Sequence, residues 1–182
     1  MKMTLPSGTN AVIEKPVSNR REQGLVIIPD VMGLRPLFHD MVKRLAIEWD
    51  IPVCSFELYP GLEHLNVEER LETASRLEDA RVIGDAIEAA DATQSEQVGI
   101  LGFCMGGMYT LKTVSSQRFS KHCSFYGMIR VPKAWKSESQ SEPMDCLREG
   151  DADSVLAIVG SEDTWTPKED VNLLSASGVT VI

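Results

Sequence analysis

Basic residues are scarce in this sequence. Lysine and arginine total 18 against 27 aspartates and glutamates, a formal charge of −9. That balance argues against a nucleic-acid partner, which needs a basic face for phosphates, and against docking on anionic lipid. No apolar run approaches the roughly 18 residues that span a bilayer, so no membrane partner is expected. The opening MKMTLPSGTN carries a lysine with no apolar stretch behind it, so no secretory signal is read there. Cysteine is limited to Cys54, Cys104, Cys123 and Cys146. None forms C-x-x-C, and no Cys/His cluster has zinc-finger spacing, so no metal site is expected. Reduced thiols and a cytoplasmic location are the expectation. There is no G-x-G-x-x-G and no Lys-Ser/Thr for a phosphate loop, so no cofactor is expected.

What the 182 residues do contain is 43% hydrophobic and 25% charged side chains, the mix of one globular domain spanning 1–182. Short apolar runs punctuate the chain: GLVII at 24–28, IPVCSF at 51–56, VGILGF at 98–103, 123–126, SVLAIV at 154–159 and VTVI at 179–182. Runs without alternation suggest strands buried on both faces, hence a mostly parallel sheet. A further short strand is possible around Val12-Ile13. Between the runs, Phe38, Met41, Val42, Leu45, Ala46 and Trp49 recur at helical spacing across 35–49. Apolar positions across 66–91 predict one long or broken helix, and 105–116 a helix directly after a strand. Alternating strands and helices give an α/β fold, with ligands bound at the carboxyl ends of the strands.

The segment Gly102-Phe103-Cys104-Met105-Gly106-Gly107 sits between such a strand and such a helix. G-x-C-x-G in that setting reads as a nucleophile elbow, a sharp turn that lifts Cys104 above the sheet. Side chains two residues to either side would collide, so glycine fits at both places. A helix N-terminus just beyond would favour the thiolate and a developing oxyanion. A buried cysteine in a glycine-rich turn is the competing reading of the motif alone. Asp163, in GSEDTWTP after the strand at 154–159, has the place and chain order of the acid in a nucleophile-acid-histidine triad. An Asx turn or helix cap would also put an aspartate there.

IIPDVMGL at 27–34, FELYPG at 56–61, GILGFCMGG at 99–107 and VGSEDTWTP at 159–167 together resemble the dienelactone hydrolase family of the α/β-hydrolase fold. The resemblance implies a mostly parallel central sheet with helices on both faces. It implies hydrolysis of a small-molecule ester or lactone by a Cys104 nucleophile through an acyl-enzyme, and Asp163 as the acid that orients a histidine. The backbone N–H groups of Val31 and Met105 become the oxyanion hole. Asp30 stands where the family has a carboxylate near the thiol, usually glutamate, and is one methylene shorter. Tyr126 lines the pocket, and Arg70 is by position a candidate for holding a substrate carboxylate.

The resemblance also requires a histidine after Asp163, and His39, His64 and His122 all precede it. The run at 179–182 is the strand after which the histidine loop should begin, so the last strand-helix portion of the fold is expected to be missing from these 182 residues. His64 follows a strand at its carboxyl end and is the one candidate substitute, without being assigned as catalytic. A chain that keeps the pocket without turnover, a non-catalytic small-molecule binding module, is the alternative. A thiol redox sensor is a third reading, for which Cys104 has no resolving cysteine nearby in sequence.

Overall fold

The computed structural model describes residues 1–18 and 21–182. Its strands are β1 (Lys2–Thr4), β2 (Asn10–Glu14), β3 (Gln23–Ile28), β4 (Val53–Phe56), β5 (Gln97–Phe103), β6 (Lys121–Phe125), β7 (Val155–Ile158) and β8 (Thr180–Val181). They form one sheet in the order β1-β2-β4-β3-β5-β6-β7-β8. The pairs β1–β2 and β2–β4 are antiparallel, and every pair from β4 across to β8 is parallel. The apolar runs are thus the parallel strands, and 179–182 supplies the edge strand β8. The strand β1 was not anticipated, because KMT is too short and too mixed to stand out as a run.

The helices are α1 (Pro36–Trp49), α2 (Val67–Thr73), α3 (Asp79–Thr93), α4 (Met105–Lys112), α5 (Pro143–Arg148) and α6 (Lys168–Ala176). Proline at the first helical position opens α1, and Asp50 closes it in the left-handed region at φ 55°. The apolar stripe of α1 holds at Phe38, Val42 and Ala46, but Trp49 is 53% exposed and lies outside it. The expected helix across 66–91 is broken. Asn66 and Glu69 form a capping box that starts α2, and the extended backbone of Leu77 and Glu78 separates it from α3.

Two apolar layers sandwich the sheet. On one face Phe38, Val42 and Ala46 of α1 pack on Val12, Leu25, Ile27, Val53 and Leu101. On the other, α3 and α4 cover Val26, Ile28, Phe56 and Ile100, and the layer continues through Leu147 of α5 and Leu174 of α6 onto β7. Helices on both faces and a mostly parallel sheet make this an α/β-hydrolase fold. Among the described residues, no helix is long and apolar enough to cross a membrane.

Candidate active site

The turn between β5 and α4 holds Cys104 at φ 55° and ψ −117°, a conformation that side chains rarely adopt. Holding such a residue costs about 1–3 kcal/mol, so the surroundings must enforce it. They do so through backbone contacts. Cys104 donates its N–H to the Phe125 carbonyl at 3.0 Å, and its own carbonyl accepts from Met108 at 3.0 Å. A Cβ on Gly102 would stand 2.1 Å from the Gly106 carbonyl oxygen, and one on Gly106 would stand 2.3 Å from the carbonyl oxygens of both Ile28 and Pro29. The elbow expected from G-x-C-x-G is therefore present, and its spacing is set by backbone packed against backbone.

Cys104 is half-buried, with its side chain against the α3–α4 layer. Burial is the largest influence on its thiol and raises its pKa above the ordinary value; the backbone N–H groups of Met105 and Val31 oppose that, while the charges of Asp30 and Asp163 add to it. A thiolate favoured by the helix N-terminus is thus corrected: desolvation, a tertiary effect, outweighs the local dipole.

Loops after β3, β6 and β7 converge on this thiol. After β3, Asp30 accepts from the Met32 N–H at 2.9 Å and is held by both terminal nitrogens of Arg35, at 2.5 and 2.8 Å. Arg35 in turn lies over the Phe38 ring, 5.0 Å from its centroid. After β6, Tyr126 sits at φ 40° and is 44% exposed. Burial and the charges of Asp30 and Cys104 raise its phenol, and Arg35 lowers it. After β7, Asp163 is half-buried and its Oδ1 accepts from the Trp165 N–H at 2.9 Å. Asp163 thus makes an Asx turn while its charge also reaches the thiol. It is not the cap of α6, whose N-cap is Pro167. The exposed Trp165 ring stacks on buried Trp135, 5.7 Å between centroids.

Arg70, by position a candidate for holding a substrate carboxylate, lies inside the fold. It is 3% exposed. Its nitrogens donate to Glu57 Oε1 at 3.1 Å and to the carbonyls of Leu65 and Glu63 at 3.1 and 2.9 Å. The reason is Glu57, a buried carboxylate directly after β4 that requires a cation. Glu57 was not singled out as a functional residue, although a glutamate closing the apolar run VCSF was the available signal. Arg35 was missed for a different reason: its pairing with Asp30 depends on a tight turn between them.

The histidines lie elsewhere. His39 is on α1, where burial, Lys2 and the N-terminal amine lower its pKa. His64 is exposed in the loop after β4. His122 is 3% exposed at the start of β6, the end of the sheet opposite the elbow. Ser154 donates its hydroxyl to the Asp151 carbonyl at 2.6 Å, so His122 Nδ1, 2.9 Å from Ser154 Oγ, carries the proton. Its Nε2 is buried without a partner among the described residues. Burial pushes the imidazole down to about 4. The folded protein therefore binds this proton less readily than the unfolded chain, whose histidine titrates near 6.5. Stability is expected to fall as pH drops from 6.5 through 4, by about 3 kcal/mol in all. Urea unfolding of the wild type and of His122→Phe across that range checks this: the variant should lose that part of the slope, and parallel curves would refute it.

The model of the dienelactone hydrolase family matches residues 9–178. A Bradyrhizobium protein named "Probable 2-oxo-3-(5-oxofuran-2-ylidene)propanoate lactonase" is 27% identical over 171 residues, covering 87% of this chain and 68% of its own. A Synechocystis protein named "Putative carboxymethylenebutenolidase" is 25% identical over the same coverage. Among solved structures, the "Putative Dienelactone Hydrolase" of Klebsiella pneumoniae subsp. pneumoniae superposes with a TM-score of 0.86 at 19% identity, over 100% of this chain and 83% of that one.

Proposed function

The chain belongs to the dienelactone hydrolase family, and we propose that it cleaves a small-molecule ester or lactone by attack of the Cys104 sulfur on the carbonyl carbon. The observation that carries this reading is the Cys104 backbone at φ 55° and ψ −117° at the start of α4, with Val31 of the loop after β3 packed against the same core cluster. Attack forms the S–C bond and moves the carbonyl electron pair onto oxygen. The oxyanion then lies beside the Val31 and Met105 donors, each such donor contributing roughly 2.7–4 kcal/mol in comparable sites. Collapse expels the alcohol oxygen, which takes up a proton, and leaves a thioester on Cys104. Water completes the reaction by releasing the acid.

The thiol proton has to leave first, and burial together with two facing carboxylates holds it on. In this reading Asp163 orients a histidine that accepts that proton, while Tyr126 and the Asp30–Arg35 pair form the rim that contacts substrate. None of the three histidines in the chain is among the groups bearing most on Cys104. This chain is therefore expected to acylate slowly, through the minor thiolate fraction acting on an activated ester, and then to stall at the thioester for want of a base to activate water. With a p-nitrophenyl ester, it should release about one equivalent of p-nitrophenol per chain and turn over slowly thereafter. Cys104→Ala should abolish the first equivalent. Sustained turnover would refute the assignment of the histidines, and equal release by Cys104→Ala would remove the nucleophile.

The raised Cys104 thiol favours one other reading, a binding module that keeps the pocket without turnover. Iodoacetamide distinguishes the two: labelling of Cys104 ahead of Cys54, Cys123 and Cys146 supports the enzyme, and uniformly slow labelling supports the module.

A further inference from the structure

The two proposed oxyanion donors stand on different elements, one in the loop after β3 and the other at the start of α4. Val31 lies in the tight turn after β3, where the Gly33 N–H bonds the Asp30 carbonyl at 2.9 Å. Met105 is the first residue of α4 and fully buried. One buried cluster touches both places. Glu57 Oε2 accepts from the Leu34 N–H at 2.8 Å, which anchors the far end of the Val31 turn. Glu57 Oε1 accepts from the Tyr59 N–H at 2.8 Å and from Arg70 at 3.1 Å. The turn lies so close that a Cβ on Gly33, at φ 66°, would stand 2.2 Å from Glu57 Oε1. The Tyr59 hydroxyl then reaches the other donor: it lies 3.3 Å from Met105 Sδ and 3.2 Å from the Arg70 carbonyl oxygen. The Arg70 guanidinium lies over the Tyr59 ring, 5.1 Å from its centroid.

Burying a carboxylate and a guanidinium is expensive even when they are paired, and a simpler apolar plug would fill the same volume. The pair is therefore weak evidence of a stability device. Its carboxylate does what an apolar group cannot, gripping two backbone N–H groups from two loops with fixed geometry. We propose that Glu57, Arg70 and Tyr59 form a positioning unit that holds the Val31 and Met105 amides at the distance the oxyanion requires. This rests on the reading of Cys104 as nucleophile. The three residues do not touch the reacting atoms; they act through Leu34, Gly33 and Met105.

The test reads oxyanion stabilisation without turnover. Trifluoroacetophenone adds to a thiol: the S–C bond forms, the carbonyl pair moves onto oxygen, and the resulting hydroxyl ionises with a pH midpoint visible by fluorine NMR. On wild-type Cys104 the adduct should ionise at least tenfold more readily than the adduct with free 2-mercaptoethanol. Glu57→Asp keeps the charge opposite Arg70 but is one methylene too short to reach both N–H groups, so it should lose about tenfold of that advantage. Tyr59→Phe removes only the hydroxyl and should lose a smaller part, which keeps the test open if Glu57→Asp does not fold. A general loosening would lower the melting temperature without moving the midpoint. A wild-type adduct whose midpoint neither variant shifts overturns the positioning unit alone. No adduct on wild-type Cys104 overturns the nucleophile, and the positioning unit with it.

Discussion

Arg70→Met is expected to lower the free energy of unfolding by about 3–5 kcal/mol, the range for breaking a buried ion pair by removing one partner. Glu57 is 1% exposed and would be left charged, with only the Leu34 and Tyr59 N–H groups to compensate it. The loss would also release two carbonyls, of Leu65 and Glu63, that Arg70 satisfies. Against a total stability of roughly 5–15 kcal/mol, the effect should be plain in a urea titration as a large fall in midpoint. Adding Glu57→Gln removes the stranded charge and keeps one acceptor, so the double variant should recover at least half of the loss. A single variant within about 1 kcal/mol of wild type would mean that the pair is not buried as described.

Gly106→Ala is expected to be nearly as damaging, for a steric reason. The added methyl would meet the Ile28 and Pro29 carbonyl oxygens at 2.3 Å. Ile28 ends β3, which is paired on both sides, and Pro29 follows it directly, so these atoms have little room to retreat. Overpacking against side chains costs about 1–3 kcal/mol, and backbone is less forgiving, so about 3 kcal/mol or more is expected. On the proposed role of Cys104 as nucleophile, displacing it would also lower the rate of acylation further than the stability loss requires. Thermal unfolding together with the first-equivalent release of p-nitrophenol measures both, and wild-type values for both would show that the elbow relaxes around the methyl.

The parts of this molecule that could be read from sequence are those set by local constraints. The elbow was legible because a backbone at positive φ squeezed between two strand ends leaves only glycine at 102 and 106. The parallel strands were legible because burial on both faces forbids polar alternation. The loop that holds Asp163 was legible because it follows a late strand. Other features depend on residues far apart in the chain, and they were not. Arg70 sits on a helix whose other charges are solvated, and its burial follows from Glu57, which pairs with it only after the intervening loop has folded back. The direction of the Cys104 shift was misjudged for the same reason: the helix N-terminus is local, but the layers that desolvate the sulfur come from α3 and α4 together. The break in 66–91 comes from the extended residues Leu77 and Glu78, whose types do not forbid a helix.

The placement of His122 at the foot of β6 has an implication for how acid acts on the molecule. Four residue-to-residue steps of extended chain separate it from Tyr126 at the rim, roughly 13 Å along the strand. Protonating it strains the end of the sheet that lies away from the Cys104 turn. A change at His122 should therefore shift the acid limb of stability while leaving the residues around Cys104 in place.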